Sequence, residues 1–304
     1  MRHPKCRHIV LSTMIMALAG TSAHASTVTA PLAPAAPLTR APQGHFVTPA
    51  IVNGTHNGKF VVDTGAGGCA LYSGFVQASG IKARGSTQLT GQTGSSAVKL
   101  AKINSLKVAG VKTGPLECVI LPPRRDKAGY AGIVGLDSMG AYVVKFDMPH
   151  HQLSFYPAWT NARSLVHANG HEVDASILPE SGLLSLPVWL NGKKAIAVLD
   201  SGARRSIINP QLAKIAGVDL DILKPAKPIY GATIRKTDIK IGTLGTLSVA
   251  GDRADAFVGG AANLPVFKAF GVADQPAMIL GLDYLSSHTM VVDFPNHRIY
   301  LSRP

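Results

Sequence analysis

One short stretch occurs twice in this chain and limits what the chain can fold into. It reads Phe60-Val61-Val62-Asp63-Thr64-Gly65-Ala66, and about 140 residues later Ala197-Val198-Leu199-Asp200-Ser201-Gly202-Ala203. Each copy puts an aspartate, a small hydroxyl residue and a glycine directly after an apolar run that reads as a buried strand. A carboxylate at such a strand end needs hydrogen-bond donors, or its pKa rises until it is neutral. The following residues offer them: a Thr or Ser hydroxyl, and backbone N–H groups where glycine lets the chain turn tightly. Two such carboxylates brought face to face share a proton.

The flanks repeat as well. Phe46 to Gly54 and Leu184 to Gly192 each read as a strand entering an Asn-Gly hairpin turn, at Asn53-Gly54 and Asn191-Gly192. Beyond each aspartate come a short strand and one or two helical turns ending at glycine, Gly80 and Gly217. Glycine-containing polar stretches follow, then the near copies Ser105 to Gly110 and Thr246 to Gly251. Ile133-Val134-Gly135-Leu136-Asp137 is answered by Ile279-Leu280-Gly281-Leu282-Asp283, and both copies close on a hairpin. A period this long is not a solenoid unit; it describes a whole small β domain, duplicated. With 31 glycines, 20 prolines and apolar runs that are short and broken by turns, the chain reads as mostly β.

The N-terminus reads as a targeting segment. Arg2, Lys5 and Arg7 precede the mainly apolar Ile9 to Gly20, and Ala23-His24-Ala25 offers a cleavage site, so residues 1–25 are expected to be a signal peptide. Residues 26–44 are Ala- and Pro-rich and read as a solvated linker. A first domain is expected over 45–158, an interdomain linker over 159–179 in which the apolar trio Ser176-Ile177-Leu178 reads as an isolated strand, and a second domain over 180–304. The mature chain is expected to be periplasmic or secreted, without stable membrane insertion. The formal net charge of +13 falls to about +10 once the leader is gone. Its basic residues are scattered rather than gathered on a helix or an aromatic platform, which argues against nucleic acid as a partner. Cys69 and Cys118 remain as an even pair, compatible with a disulfide in an oxidising compartment and equally with two buried thiols. No histidine spacing points to a metal site, and no cofactor is implied.

The paired Asp63-Thr64-Gly65-Ala66 and Asp200-Ser201-Gly202-Ala203, each with its downstream Ile133-Val134-Gly135 or Ile279-Leu280-Gly281, resemble the aspartic proteases of the retropepsin-like and pepsin-like families. The resemblance covers nearly all of the chain after residue 45 and suggests retropepsin-type units fused in tandem. It implies an all-β fold, two homologous acid-protease-type β-barrel domains with an active-site cleft between them. It implies an aspartic endopeptidase acting on protein or peptide substrates, with Asp63 and Asp200 activating one water, either as a monomeric pseudo-dimer or with each half paired to the same half of another chain. Thr64 and Ser201 would cross-link the two loops, supported by Gly65, Ala66, Gly202 and Ala203. Flaps would fall near 85–98 and 229–238, with Thr90-Gly91 in the first and Tyr230-Gly231 in the second.

Pepsin-like enzymes often carry a hydroxyl residue where this chain has Ala66 and Ala203. Losing that donor destabilises the charged dyad and points to an optimum in mildly acidic to near-neutral conditions. Asp137 and Asp283 read as caps of the short helices they begin, and Asp147 and Asp293 as turn residues. Two other readings stand beside the protease. One is a protease-like scaffold that binds peptides without cutting them. The other is an actin-like or sugar-kinase-type ATPase, suggested by the glycine-rich run after Val62.

Overall fold

The structure, a computed structural model, describes residues 29–232 and 236–304. The leader expected over 1–25 lies outside the described residues. The remainder is mostly β, laid out as two copies of one barrel and a sheet that they share.

In the second copy six strands neighbour one another in the order Leu184–Leu190, Lys193–Leu199, Ala277–Leu280, Ile207–Ile208, Asp252–Ala261 and Lys240–Val249. Lys240–Val249 then pairs back onto Leu184–Leu190, with Leu190 opposite Leu247, and closes the barrel. To serve both neighbours this strand must turn a corner. Its register slips on either side of Gly245, which holds φ at +112°, and such bulges bend a strand. The first copy keeps the order with Phe46–Val52, His56–Val62, Gly132–Val134, Ala70–Tyr72, Leu116–Leu121 and Gly94–Ile103. Here the corner strand is cut in two, and the separate Leu106–Val108 pairs with Phe46–Val52.

The Asn-Gly turns do two jobs. Asn53 and Gly54 sit at φ 52° and 79°, Asn191 and Gly192 at 50° and 75°, the left-handed pair that tight hairpins require. Each asparagine side chain also pins the corner: Asn53 Oδ1 accepts from Asn104 N at 2.7 Å, and Asn191 Oδ1 from Thr246 N at 2.8 Å. Helices are short. Ser73–Ser79 stops at the left-handed Gly80, and Pro210–Ile215 starts with Pro210 behind Asn209, whose side chain accepts from Leu212 N.

The closing hairpins of both copies build the shared six-stranded sheet: Ala36–Pro37, Gln152–Tyr156, Val143–Asp147, Thr289–Asp293, Arg298–Ser302, His171–Asp174. At its centre Val143–Asp147 runs antiparallel to Thr289–Asp293, with Lys145 opposite Val291. Phe146, Met290 and Leu301 from this sheet belong to one apolar core that also takes in Phe60 of the first barrel and Leu186 of the second.

Two connecting segments differ from expectation. In the stretch expected as a solvated linker over 26–44, Ala36–Pro37 pairs with the first closing hairpin, Thr39–Arg40 pairs with Phe46–Val52, and Leu38 between them is 1 % exposed. In the stretch expected as a linker over 159–179, His171–Asp174 pairs with the second closing hairpin and Ser176–Ile177 with Leu184–Leu190. The two lead-ins therefore correspond, and the duplicated unit includes them. Sheet edges left open by the hairpins offer their backbone groups, and these short segments take them up.

Candidate active site

Each aspartate stands where the chain crosses itself. Gly132–Val134 runs parallel to the strand ending at Val62, and Asp63 N donates to Val134 O at 3.0 Å. Asp200 N donates to Leu280 O at 3.1 Å in the matching place. The loop after each aspartate then passes over the downstream glycine: Leu136 N donates to Ala66 O at 2.9 Å and Leu282 N to Ala203 O at 2.8 Å. A Cβ on Gly135 would strike the backbone of Gly68 and Ala66, and one on Gly281 the backbone of Ala203 and Arg205. The apolar-apolar-Gly motif is thus the glycine that permits a backbone crossing, and the crossing fixes where the carboxylates point.

The two loops are tied together by Thr64 and Ser201. Thr64 N donates to Ser201 Oγ at 3.0 Å and Ser201 N to Thr64 Oγ1 at 3.0 Å. Each hydroxyl then donates onward across the interface, Thr64 Oγ1 to Leu199 O at 2.9 Å and Ser201 Oγ to Val62 O at 2.8 Å. Both side chains are buried, at 1 % exposure. Four backbone groups, Thr64 N, Ser201 N, Val62 O and Leu199 O, are in this way matched by a side chain of the other half.

That junction brings Asp63 and Asp200 of one chain within hydrogen-bonding reach of each other. Asp63 Oδ1 accepts from Gly65 N at 2.8 Å, and Asp200 Oδ1 from Ala203 N at 2.7 Å. Each carboxyl also lies against the glycine of the opposite loop. A Cβ on Gly65 would come within 2.6 Å of the Asp200 carboxyl carbon, and one on Gly202 would overlap the Asp63 carboxyl. Burial pushes both carboxyls above the ordinary range, and for Asp63 the neighbouring Asp200 charge adds to this. Such a pair loses its protons in two steps that belong to both groups together. Ala203 is buried in an apolar cluster with Ile207 and Ile279, and Ala66 is partly exposed.

Behind the loops, Asp137 and Asp283 take a different role from the expected cap. Asp137 Oδ2 accepts from Cys69 N at 2.7 Å, and Asp283 accepts from Ser206 N at 2.8 Å and Ser206 Oγ at 2.6 Å. They hold the far end of each aspartate loop to the crossing, rather than closing their own four-residue helices. Cys69 and Ser206 are equivalent positions, and Cys69 is joined to Cys118 by a disulfide. Asp147 and Asp293 do serve turns: Asp147 bonds His150 at 2.8 Å, and Asp293 accepts from Asn296 N at 3.1 Å.

The first flap is the hairpin Ala83–Gly91 and Gly94–Ile103, with Gln92 and Thr93 at its tip. Thr90 is on its flank, bonded to Ser95 at 2.7 Å, and Gly91 pairs with Gly94. In the second, Ile229–Tyr230 pairs with Lys236–Thr237. The two meet: Gly231 N donates to Thr93 Oγ1 at 3.2 Å, and the exposed Tyr230 ring lies 4.3 Å beneath the Arg125 guanidinium. The tip residue Gln92 reaches further and donates from Nε2 to Asp200 Oδ2 at 3.3 Å. Neither Gln92 nor Thr93 was singled out by sequence. The signal for them is the spacing Gly91-Gln92-Thr93-Gly94, two glycines bracketing a two-residue tip.

Among the described residues no group of three or more His, Cys, Asp or Glu is placed to hold a metal ion. Nor is any described helix long and apolar enough to cross a membrane. The ATPase alternative requires long helices, whereas the longest described helix is Ser73–Ser79. A family model described as Aspartyl protease matches the chain twice, over residues 48–138 and 186–284. Each match begins inside the first strand of a barrel and ends in the short helix after its crossing glycine. No curated protein matches the chain.

Proposed function

The chain belongs to the aspartyl protease family, and on that premise we propose that it is an exported endopeptidase whose catalytic pair is Asp63 and Asp200. The observation that carries this reading is the cross-linked junction that holds the two buried carboxyls together beneath two hairpins. A water between them would be polarised from both sides. As its oxygen adds to the scissile carbonyl carbon, one carboxylate takes its proton and the other carboxyl gives a proton to the carbonyl oxygen. The resulting diol collapses, the C–N bond breaks, and the amine leaves with a proton returned from the pair. Substrate lies extended under the flaps and adds main-chain hydrogen bonds to them. The upward direction of both carboxyls supports the expectation of a working range in mildly acidic to near-neutral solution.

The test is cleavage of an unfolded protein by the mature chain beginning at Ser26, by Asp63→Asn and by Asp200→Asn, with and without a statine-type inhibitor. Loss of cleavage in both folded variants, and inhibition of the wild type, is the expected result. A single variant that keeps its rate removes the shared site. Peptide binding without cleavage by the wild type would leave a scaffold rather than an enzyme. Export is tested by where a tagged full-length chain is recovered on cell fractionation.

A further inference from the structure

The two aspartates share their frame but not all of their contacts. Each carboxyl accepts a backbone N–H from its own loop, Asp63 from Gly65 and Asp200 from Ala203. Only Asp200, among the described residues, also takes a side-chain donor from a flap, the Gln92 carboxamide at 3.3 Å. The hairpin tip that carries Gln92 is held down. Thr93 is 4 % exposed, and its hydroxyl accepts from the backbone of the opposite flap at Gly231.

We propose that Gln92 is a positioning residue of the pair: with the flap down, its carboxamide N–H holds Asp200 as the ionised base and leaves the shared proton on Asp63. A carboxamide N–H can only donate, so it favours whichever carboxyl is charged. Burial raises both carboxyls, and the Asp200 charge raises Asp63 as well, so the flap donor to Asp200 acts in the same direction as the rest of the pair. Without the flap donor the ionised form of Asp200 loses one hydrogen bond, and the preference for leaving the proton on Asp63 narrows. The donor belongs to the first half and the carboxylate to the second, so this contact is made across the cleft by the flap in its lowered position. Asp200 then accepts the proton of the attacking water, and Asp63 delivers its own to the carbonyl oxygen.

Few other titratable groups face the pair. Tyr72 lies beyond Asp63 with its hydroxyl bonded by Arg124 at 3.1 Å, and Asp137 and Asp283 turn to Cys69 and Ser206. The proposal rests on the protease reading for its chemistry, but its central measurement does not need cleavage. The 13C carboxyl signals of Asp63 and Asp200, identified through Asp63→Asn and Asp200→Asn, are followed against pH in the wild type, Gln92→Leu and Gln92→Ala. In the wild type Asp200 is expected to ionise first. In both Gln92 variants the first ionisation should move up by about 1 pH unit, the effect of one lost donor to a carboxylate, and the separation of the two ionisations should narrow.

In the cleavage assay the acidic limb of kcat/KM should move by the same amount. Gln92→Glu, which adds a third carboxyl, should move it further. A residue that only packed the flap would change KM and leave the limb where it was. Unchanged carboxyl titrations in folded Gln92→Leu overturn the inference whatever the activity. A wild type that shows the expected order of ionisation but cuts nothing overturns the protease reading and leaves this one standing.

Discussion

Thr64→Val should expose how much the junction between the halves is worth. The swap replaces a hydroxyl by a methyl of nearly the same size, so no cavity opens, and what is lost is two hydrogen bonds. Thr64 Oγ1 accepts from Ser201 N at 3.0 Å and donates to Leu199 O at 2.9 Å, at a site 1 % exposed. Each backbone group orphaned in such a place costs about 1–3 kcal/mol. The pair therefore sums to roughly 2–6 kcal/mol, and relaxation of the loops brings the expected loss toward about 3 kcal/mol. For a chain of this size that corresponds to a fall in Tm of about 6–12 °C. Ser201→Ala strands Thr64 N and Val62 O in the same way.

The four bonds span one junction, so the double variant should cost less than the two singles together, by about 0.5–3 kcal/mol. Urea unfolding followed by circular dichroism, with the disulfide intact, gives all three values. Thr64→Ser, which keeps the hydroxyl, serves as control. A Thr64→Val chain within about 0.5 kcal/mol of wild type, or singles that simply add, would refute the reasoning.

The buried pair should reveal itself in stability as well as in rate. Because both carboxyls are raised, chiefly by burial, the folded chain keeps protons that the unfolded chain releases from about pH 4 upward. Stability then falls as pH rises through that window. Asp63→Asn and Asp200→Asn escape this loss and should be more stable than wild type at pH 7 but not at pH 4, by thermal unfolding at both; a variant weaker than wild type at pH 7 would contradict this. Replacing Cys69 and Cys118 together by alanine opens a crosslink of sequence separation 49. Loop-closure entropy sets the cost at about 4 kcal/mol at most, and denaturant midpoints of the oxidised wild type and the double variant measure it.

What could be read from sequence was the chemistry that is local. An aspartate, a hydroxyl and a glycine after an apolar run describe a loop by themselves, and Asn53-Gly54 and Asn191-Gly192 set left-handed turns wherever they occur. Gly135 and Gly281 were visible as motifs, though not as crossings, because the carbonyls they clear come from far along the chain. Most of the lead-in strands were hidden for a different reason. Two-residue pieces such as Ala36–Pro37 and Thr39–Arg40 have no periodicity, and an open sheet edge decides their state, whereas Ser176–Ile177 was marked by its apolar trio. Asp137 and Asp283 were placed on the right elements with the wrong partner, since a carboxylate near a helix start bonds whichever N–H tertiary packing brings closer. Gln92 carried no signal of its own: an amide at a hairpin tip acquires meaning only from what the hairpin covers.

The sheet built from both closing hairpins has a consequence for concentration. Where two separate chains must each supply an aspartate, the site dissolves on dilution, because assembly follows mass action. Here Val143–Asp147 and Thr289–Asp293 are neighbours in one sheet of one chain, and the partner half is always present at a high effective concentration. Specific activity should therefore stay constant however far the protein is diluted. The same covalent union frees the halves from having to be identical. A flap glutamine opposite one aspartate and a cysteine where the other half keeps Ser206 are changes that a symmetric pair of chains could make only twice over.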